Sequence, residues 1–126
     1  LNASQGELNA KLGIVITEAG PNGVVATMPV EGNRQPYGLL HGGASATLGE
    51  YLGSCLAVLN CPPDRSAVGI DINATHHRSA LSGTVTAVAR PLNVGRTLVT
   101  SEIVVTDDQD RRVCTVRLTC LLRENR

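Results

Sequence analysis

The chain has 126 residues, 42% of them apolar, with 11 Lys and Arg against 11 Asp and Glu. That length suits one domain able to bury a core without disulfide or metal staples, and the composition is globular rather than disordered or fibrous. Balanced charge leaves no electrostatic footprint for nucleic acid or an anionic membrane, and two tyrosines with no Phe or Trp offer no stacking platform for single strands.

Residues 1–10 read as a weak helix or a frayed arm. Leu12–Glu18 is a short apolar run containing Ile14, Val15 and Ile16, a strand by length and β-branching. Gly20-Pro21-Asn22-Gly23 is turn chemistry, because Pro presets φ and Asn-Gly tolerates positive φ. Val24–Val30 is the return strand of this hairpin. Gly32, Pro36 and Gly38 mark a loop over 31–40. A helix follows from about Gly42 to Asn60, with Leu48, Tyr51, Leu52, Cys55, Leu56 and Leu59 forming an amphipathic stripe. Cys61-Pro62-Pro63-Asp64 stops it, since prolines remove donors and disfavour α geometry before them. The remainder is β. Ala67–Thr75 alternates Val68, Ile70 and Ile72; Gly83–Arg90 follows; Thr97–Thr106 sets Val99, Ile103 and Val105 on one face; and Val113–Leu122 alternates Cys114, Val116, Leu118 and Cys120 with Thr115, Arg117 and Thr119. Asp107-Asp108-Gln109-Asp110 is the polar turn between the last two.

No repeat or linker interrupts this order, so residues 1–126 form one domain. A single long helix must cover one face of an antiparallel sheet, which makes the class α+β. One helix wrapped by a long curved sheet is the hotdog arrangement.

Cys55, Cys61, Cys114 and Cys120 contain no CxxC pair, and no His lies at finger spacing. The reading is four reduced thiols, mostly in the core, with neither metal nor cofactor. Cys55 lies on the apolar stripe and reads as core, not nucleophile. The first residues are polar and include Glu7, unlike a secretory leader. No apolar run approaches the length of a membrane span. A soluble cytoplasmic protein is the expectation.

The helix face opposite the stripe carries Ala46, Thr47, Glu50, Gly53, Ser54 and Ala57. A solvated helix face is ordinarily rich in Lys, Glu, Arg and Gln; this one holds a single carboxylate among small residues. Two readings compete: close packing at an oligomer contact, or a gap that holds a ligand facing Glu50. In the second, partial desolvation favours the neutral carboxyl and suits Glu50 to base or nucleophile work. His41-Gly42-Gly43 opens the helix, and free N–H groups at a helix N-terminus can stabilise an oxyanion.

The string Gln35-Pro36-Tyr37-Gly38-Leu39-Leu40-His41-Gly42-Gly43-Ala44-Ser45, with Glu50 nine residues after the His, resembles the hotdog thioesterases of the phenylacetate-degradation type. Their relatives include the glutamate-dependent 4-hydroxybenzoyl-CoA thioesterases and the dihydroxynaphthoyl-CoA thioesterases. The likeness continues through Gly69-Ile70-Asp71-Ile72-Asn73, His76-His77-Arg78-Ser79 and Val94-Gly95-Arg96-Thr97, about residues 11 to 122. It implies hydrolysis of acyl-CoA thioesters, with aromatic acyl groups favoured. It implies Glu50 as catalytic nucleophile or general base and the Gly42 N–H as the donor polarising the thioester carbonyl. Gln35 and His41 would orient the carbonyl and the helix start, and Ser54 would help place water or the carboxylate. His76, His77, Arg78, Ser79 and Arg96 would grip the pantetheine and phosphates of CoA. The bare residues leave His76-His77-Arg78 open to being an exposed strand end, and Arg96 to being a hairpin arginine.

The chemistry is coherent without the family. Thioester hydrolysis needs a polarised carbonyl and an activated oxygen, the leaving thiolate needs little acid assistance, and no GxSxG elbow offers a serine route. Two alternatives stand beside acyl-CoA hydrolysis: an acyl-carrier-protein thioesterase, and a non-catalytic acyl-CoA-binding module. In the catalytic reading Gly42 and Glu50 lie about 12 Å apart along one helix at 1.5 Å per residue, too far to serve one carbonyl. A second helix packed antiparallel across a two-fold solves this, with Ala46, Gly53 and Ala57 expected to permit the approach. The expectation is a homodimer at least, and the resemblance implies a homotetramer of two such dimers.

Overall fold

In the computed structural model, which describes residues 2–125, Pro21 and Asn22 close a two-residue turn between β1 (Val15–Gly20) and β2 (Gly23–Pro29). A short helix, α1 (Glu7–Lys11), precedes them. The strand expected from Leu12 begins only at Val15, because Leu12 ends α1, its N–H bonding to the Leu8 carbonyl at 3.1 Å. Gly13 then turns the chain with φ +75, a conformation that glycine takes without strain.

The long helix α2 spans Gly42–Leu59. Four strands follow: β3 (Arg65–His76), β4 (Thr84–Val94), β5 (Leu98–Thr106) and β6 (Arg112–Glu124). All six strands form one antiparallel sheet in the order β1-β2-β4-β5-β6-β3, and α2 packs on the face presented by β2, β4, β5, β6 and β3. This is the hotdog fold, α+β in class. β4 runs through Pro91 to Val94, beyond the expected end at Arg90. Its pairing with β2 ends at Ala89, so Pro91 lies where that side of the strand is free and a proline is tolerated. No helix among the described residues is long and apolar enough to cross a membrane.

The core is aliphatic, as the absence of Phe and Trp requires. Alternate residues of β2, β4, β5 and β6, among them Met28, Val85, Ile103, Val116 and Leu118, close on Leu48, Leu52 and Leu56 of α2. The helix is turned relative to the expected stripe. Gly53 and Ala57, expected on the open face, are buried against the sheet with Gly49, whereas Tyr51 and Cys55 are half-buried and Leu59 is 37% exposed. The small residues serve helix–sheet packing. A β-carbon at position 49 would lie 2.7 Å from both methyls of Val116, and one at position 53 would lie 2.6 Å from Leu118 Cδ2. The open face instead carries Gly43, Thr47, Glu50, Ser54 and Val58.

A prediction follows from that contact. Gly49→Ala gains about 1 kcal/mol in helix propensity. Val116 is β-branched and has little rotamer freedom with which to yield, so the overpacking, at about 1–3 kcal/mol, outweighs that gain. The midpoint of thermal unfolding followed by circular dichroism should fall, and a rise would contradict the packing.

The alternation expected in β3 is also corrected. Gly69 pairs with Cys120 and Asp71 with Thr119, so Ile70 is an extra, bulged residue. Ile70 is 56% and Ile72 39% exposed, and β3 is an edge strand whose outer side has no neighbouring strand among the described residues.

Candidate active site

The loop between β2 and α2 is fixed by one buried polar residue. Asn33 donates its side-chain amide to the Leu12 and Pro29 carbonyls, at 2.7 and 2.8 Å, and its own carbonyl accepts the His41 N–H at 2.9 Å. The loop is joined to the segment after β3 by Leu40 N–H donating to the Ala80 carbonyl at 2.8 Å and by the Arg34 guanidinium on the Leu81 carbonyl. These bonds bring Gln35–Gly42 against His76–Ser79.

His41 is the N-cap of α2, with φ −65 and ψ 131, and its Nδ1 accepts the Gly43 N–H at 2.8 Å. The Ala44 and Ser45 N–H groups go to the His41 carbonyl. The Gly42 N–H has no acceptor among the described residues. One donor is thus left free at the positive end of the helix dipole.

Gly42 opens into a cavity of about 400 Å³ whose walls include Gln35, His76, His77, Arg78 and Ser79. The Gln35 Oε1 accepts the Tyr37 N–H, which leaves its amide NH2 as the available donor. The imidazole of His76 stands over the helix start: a β-carbon on residue 42 would lie 3.0 Å from its Nε2. His77 turns away to Thr115, Nε2 to Oγ1 at 2.9 Å, and the His77 and Arg78 N–H groups share the Val113 carbonyl. Arg78 is exposed and has no carboxylate within salt-bridge distance among the described residues.

Glu50 and Ser54 are elsewhere. They lie mid-helix on the open face, outside the walls of that cavity. Glu50 is exposed in the single chain rather than desolvated, and its carboxylate makes no hydrogen bond or ion pair among the described residues. Its Oε2 lies 3.1 Å from where a β-carbon on Gly69 would stand. The neighbouring thiol of Cys120 is pushed up in pKa by burial, drawn down by the Ser54 hydroxyl and raised again by the charge of Glu50. It stays a thiol at neutral pH and is no rival nucleophile. Cys55 is likewise pushed up by burial, with a hydrogen bond to Tyr51 acting against it.

Arg96 does not join the His76–Arg78 group within one chain. The β4–β5 turn leaves the sheet at the C-terminal end of α2, where Arg96 borders a depression with Asn60 and Arg65. β3 delivers His76 at the opposite end of the helix. Asn33 had no place in the sequence reading, which named Gly69 only within the resemblance and Cys120 only as a core thiol. Only Gly69 left a signal, as an isolated glycine within a strand pattern, which marks a bulge or a close approach.

A free helix-terminal donor beside an amide, and a free carboxylate on the same helix, are the two parts an acyl-transfer site requires. The comparisons with known proteins bear on the family and the activity. The sequence profile of the thioesterase superfamily matches residues 37–114. The proofreading thioesterase EntH of Cronobacter sakazakii is 48% identical over 120 residues, 94% of this chain and 88% of that protein. A Pseudomonas aeruginosa thioesterase structure superposes with a TM-score of 0.94 at 38% identity, covering 98% of this chain and 91% of that one. A Staphylococcus aureus thioesterase superposes at 0.88 with 30% identity, covering 92% and 98%. The chain belongs to the thioesterase superfamily. It is a thioester hydrolase.

Proposed function

We propose that the protein hydrolyses acyl-CoA thioesters, aromatic ones foremost, at a site shared between two chains. The Gly42 N–H and Gln35 of one chain polarise the carbonyl, and the Glu50 carboxylate of the other activates water or attacks directly. The observation that carries this reading is the free Gly42 N–H opening into a cavity with Gln35 on one side and His76–Ser79 on the other. Structures of the Staphylococcus aureus protein carry alanine in place of a glutamine in one case and a glutamate in another, at the interval that separates Gln35 from Glu50. That coincidence supports the pairing of the two positions.

The carbonyl bound at Gly42 lies at one wall of the cavity, so the rest of the thioester extends along the other. His76 and Ser79 suit pantetheine, and the unpaired guanidinium of Arg78 suits a CoA phosphate. Arg96, at the far end of its own helix, reaches such a substrate only from a second chain. The aromatic preference follows the resemblance of the 35–50 segment. Four unpaired cysteines suit a reducing cytoplasm.

The second chain follows from reach. Gly42 and Glu50 remain about 12 Å apart along α2, and only Gly42 lines the cavity. The open face of Gly43, Thr47, Glu50 and Ser54 accepts an antiparallel copy, and the free edge of β3 with exposed Ile70 and Ile72 offers the apolar surface such a dimer buries. Pairing of two such dimers gives the tetramer.

The test is thiol release across matched panels of aryl-CoA and alkyl-CoA esters, with the same acyl groups on a carrier protein. Higher kcat/KM on aryl-CoA supports the reading. Preference for the carrier-bound esters selects the second reading. Binding of the CoA and carrier esters without thiol release would overturn the proposed substrates.

Arg78→Ala should raise KM for CoA esters roughly tenfold, the scale of one charge-assisted contact, and leave kcat nearly unchanged, because the contact is remote from the reacting carbon. A thioester of pantetheine without the nucleotide should be insensitive to the change. Equal losses on both substrates would remove the phosphate assignment.

A further inference from the structure

We propose that Gly69 is a positioning residue that seats the Glu50 carboxylate against the backbone of β3; this rests on reading Glu50 as the catalytic carboxylate. Gly69 lies within β3 opposite Cys120 of β6. Its backbone is not among those with positive φ, unlike that of Gly13, so conformation does not demand glycine here. Space does. The nearest atom to a β-carbon built on residue 69 is Glu50 Oε2 at 3.1 Å, and the next is Leu118 Cδ1 at an ordinary 3.6 Å. A β-carbon there fits only if the carboxylate gives way by a few tenths of an ångström, and a larger side chain would push it further.

The local strand geometry is irregular at the same point. The register shift between Gly69 and Asp71 leaves Ile70 unpaired with β6. Bulges are found beside active sites because they redirect the strand locally. Here the bulge and the missing side chain fall together where the helix brings its one carboxylate to the sheet. On the helix side Glu50 has no hydrogen bond or ion pair among the described residues to hold it, so the space left by the missing side chain at 69 is what lets its oxygens lie beside β3. The oxygens stay unpaired and free to take a proton or attack, while their position is limited by packing.

The steric consequence is graded. A glutamate side chain can yield by rotating its last torsions, so Gly69→Ala displaces the carboxylate without forcing the backbone apart. Catalysis is less forgiving, because a displacement of about 1 Å in a reacting group can reduce rate about a hundredfold. Gly69→Ala should lower kcat about tenfold and leave KM within about twofold, and Gly69→Val should approach the hundredfold loss. Thermal unfolding should hardly change.

The experiment is a double-mutant cycle on the full chain, with steady-state thiol release for active proteins and single-turnover rates with enzyme in excess for the weak ones. In the Glu50→Ala background the carboxylate is gone, so Gly69→Ala should leave the residual rate unchanged within about twofold. Equal loss in both backgrounds would assign Gly69 to strand packing and overturn the inference. Wild-type kcat for Gly69→Ala beside an inactive Glu50→Ala overturns it alone and leaves the function standing. Wild-type kcat for Glu50→Ala removes the catalytic reading itself, and the Gly69 role with it. Should Gly69→Ala fail to fold, the double variant decides: folding restored by Glu50→Ala supports the contact, and folding still lost overturns it.

Discussion

Replacing Glu50 with Gln lowers kcat at least about a hundredfold, the scale of losing a positioned base or nucleophile. Gln has the size and the hydrogen-bonding reach of Glu but cannot carry the negative charge that either role uses. The loss should therefore appear in kcat and in kcat/KM together, since an interaction made in the transition state is removed. The fold should be unaffected. Glu50 is exposed, and no hydrogen bond or ion pair among the described residues depends on it. The neighbouring Cys120 offers no substitute, because burial pushes its thiol up. Thiol release with a chromogenic disulfide measures the rate, and circular dichroism checks the fold. A Glu50→Gln protein turning over at the wild-type rate would place the activated oxygen elsewhere.

The strands and the long helix were legible because their signals are local. Alternation over Val113–Leu122 and the stop at Pro62-Pro63 depend on neighbours in sequence, and the structure places β6 and the end of α2 accordingly. The rotation of α2 was not legible. Its hydrophobic stripe counts large residues, whereas the true buried face is chosen by how closely helix and sheet approach, and Gly49, Gly53 and Ala57 are what permit that approach. A glycine is silent in a hydrophobicity count and decisive in a packing contact. The same silence hid Gly69. Asn33 was missed for another reason: a polar residue in a polar loop gives no hint that it is buried, and its two carbonyl partners, Leu12 and Pro29, are joined to it only by the fold. In β3 the apolar alternation is present and reads as a core strand, but Ile70 and Ile72 are exposed. Such a pattern is buried only if the edge meets another chain, a fact outside any one chain's local preferences. Of the candidate site, Gln35, Gly42, His76, His77, Arg78 and Ser79 come together at one cavity. Glu50 and Ser54 do not, and that division is what geometry along a single helix requires.

Two individually inactive variants, Glu50→Ala and Gln35→Ala, should regain activity when combined in one dimer. Each site in the proposed assembly takes Gln35 and Gly42 from one chain and Glu50 from the other. In a mixed dimer one site inherits both defects and is dead. The other inherits Gln35 and Gly42 from the Glu50→Ala chain and Glu50 from the Gln35→Ala chain, so it is intact. Random pairing of equal amounts makes half the dimers mixed, and the two-fold gives each of these one good site, so the preparation should reach about a quarter of the wild-type rate. Gln35 is the better partner for Glu50 in this test than His41. His41 caps the helix through Gly43, and its loss would disturb the helix start as well as the carbonyl. Gln35 lines the cavity beside Gly42, and its removal takes away the amide donor and the acceptor of the Tyr37 N–H while leaving the cap of the helix in place. Co-expression with two different affinity tags, followed by purification through both, removes assemblies built from one variant alone and raises the expected rate to about half for a dimer, or to about 0.3 for a randomly paired tetramer of dimers. Isolated mixed dimers that stay inactive would mean that both residues must come from one chain, and that α2 reaches its own carbonyl by a route its length along the axis does not allow.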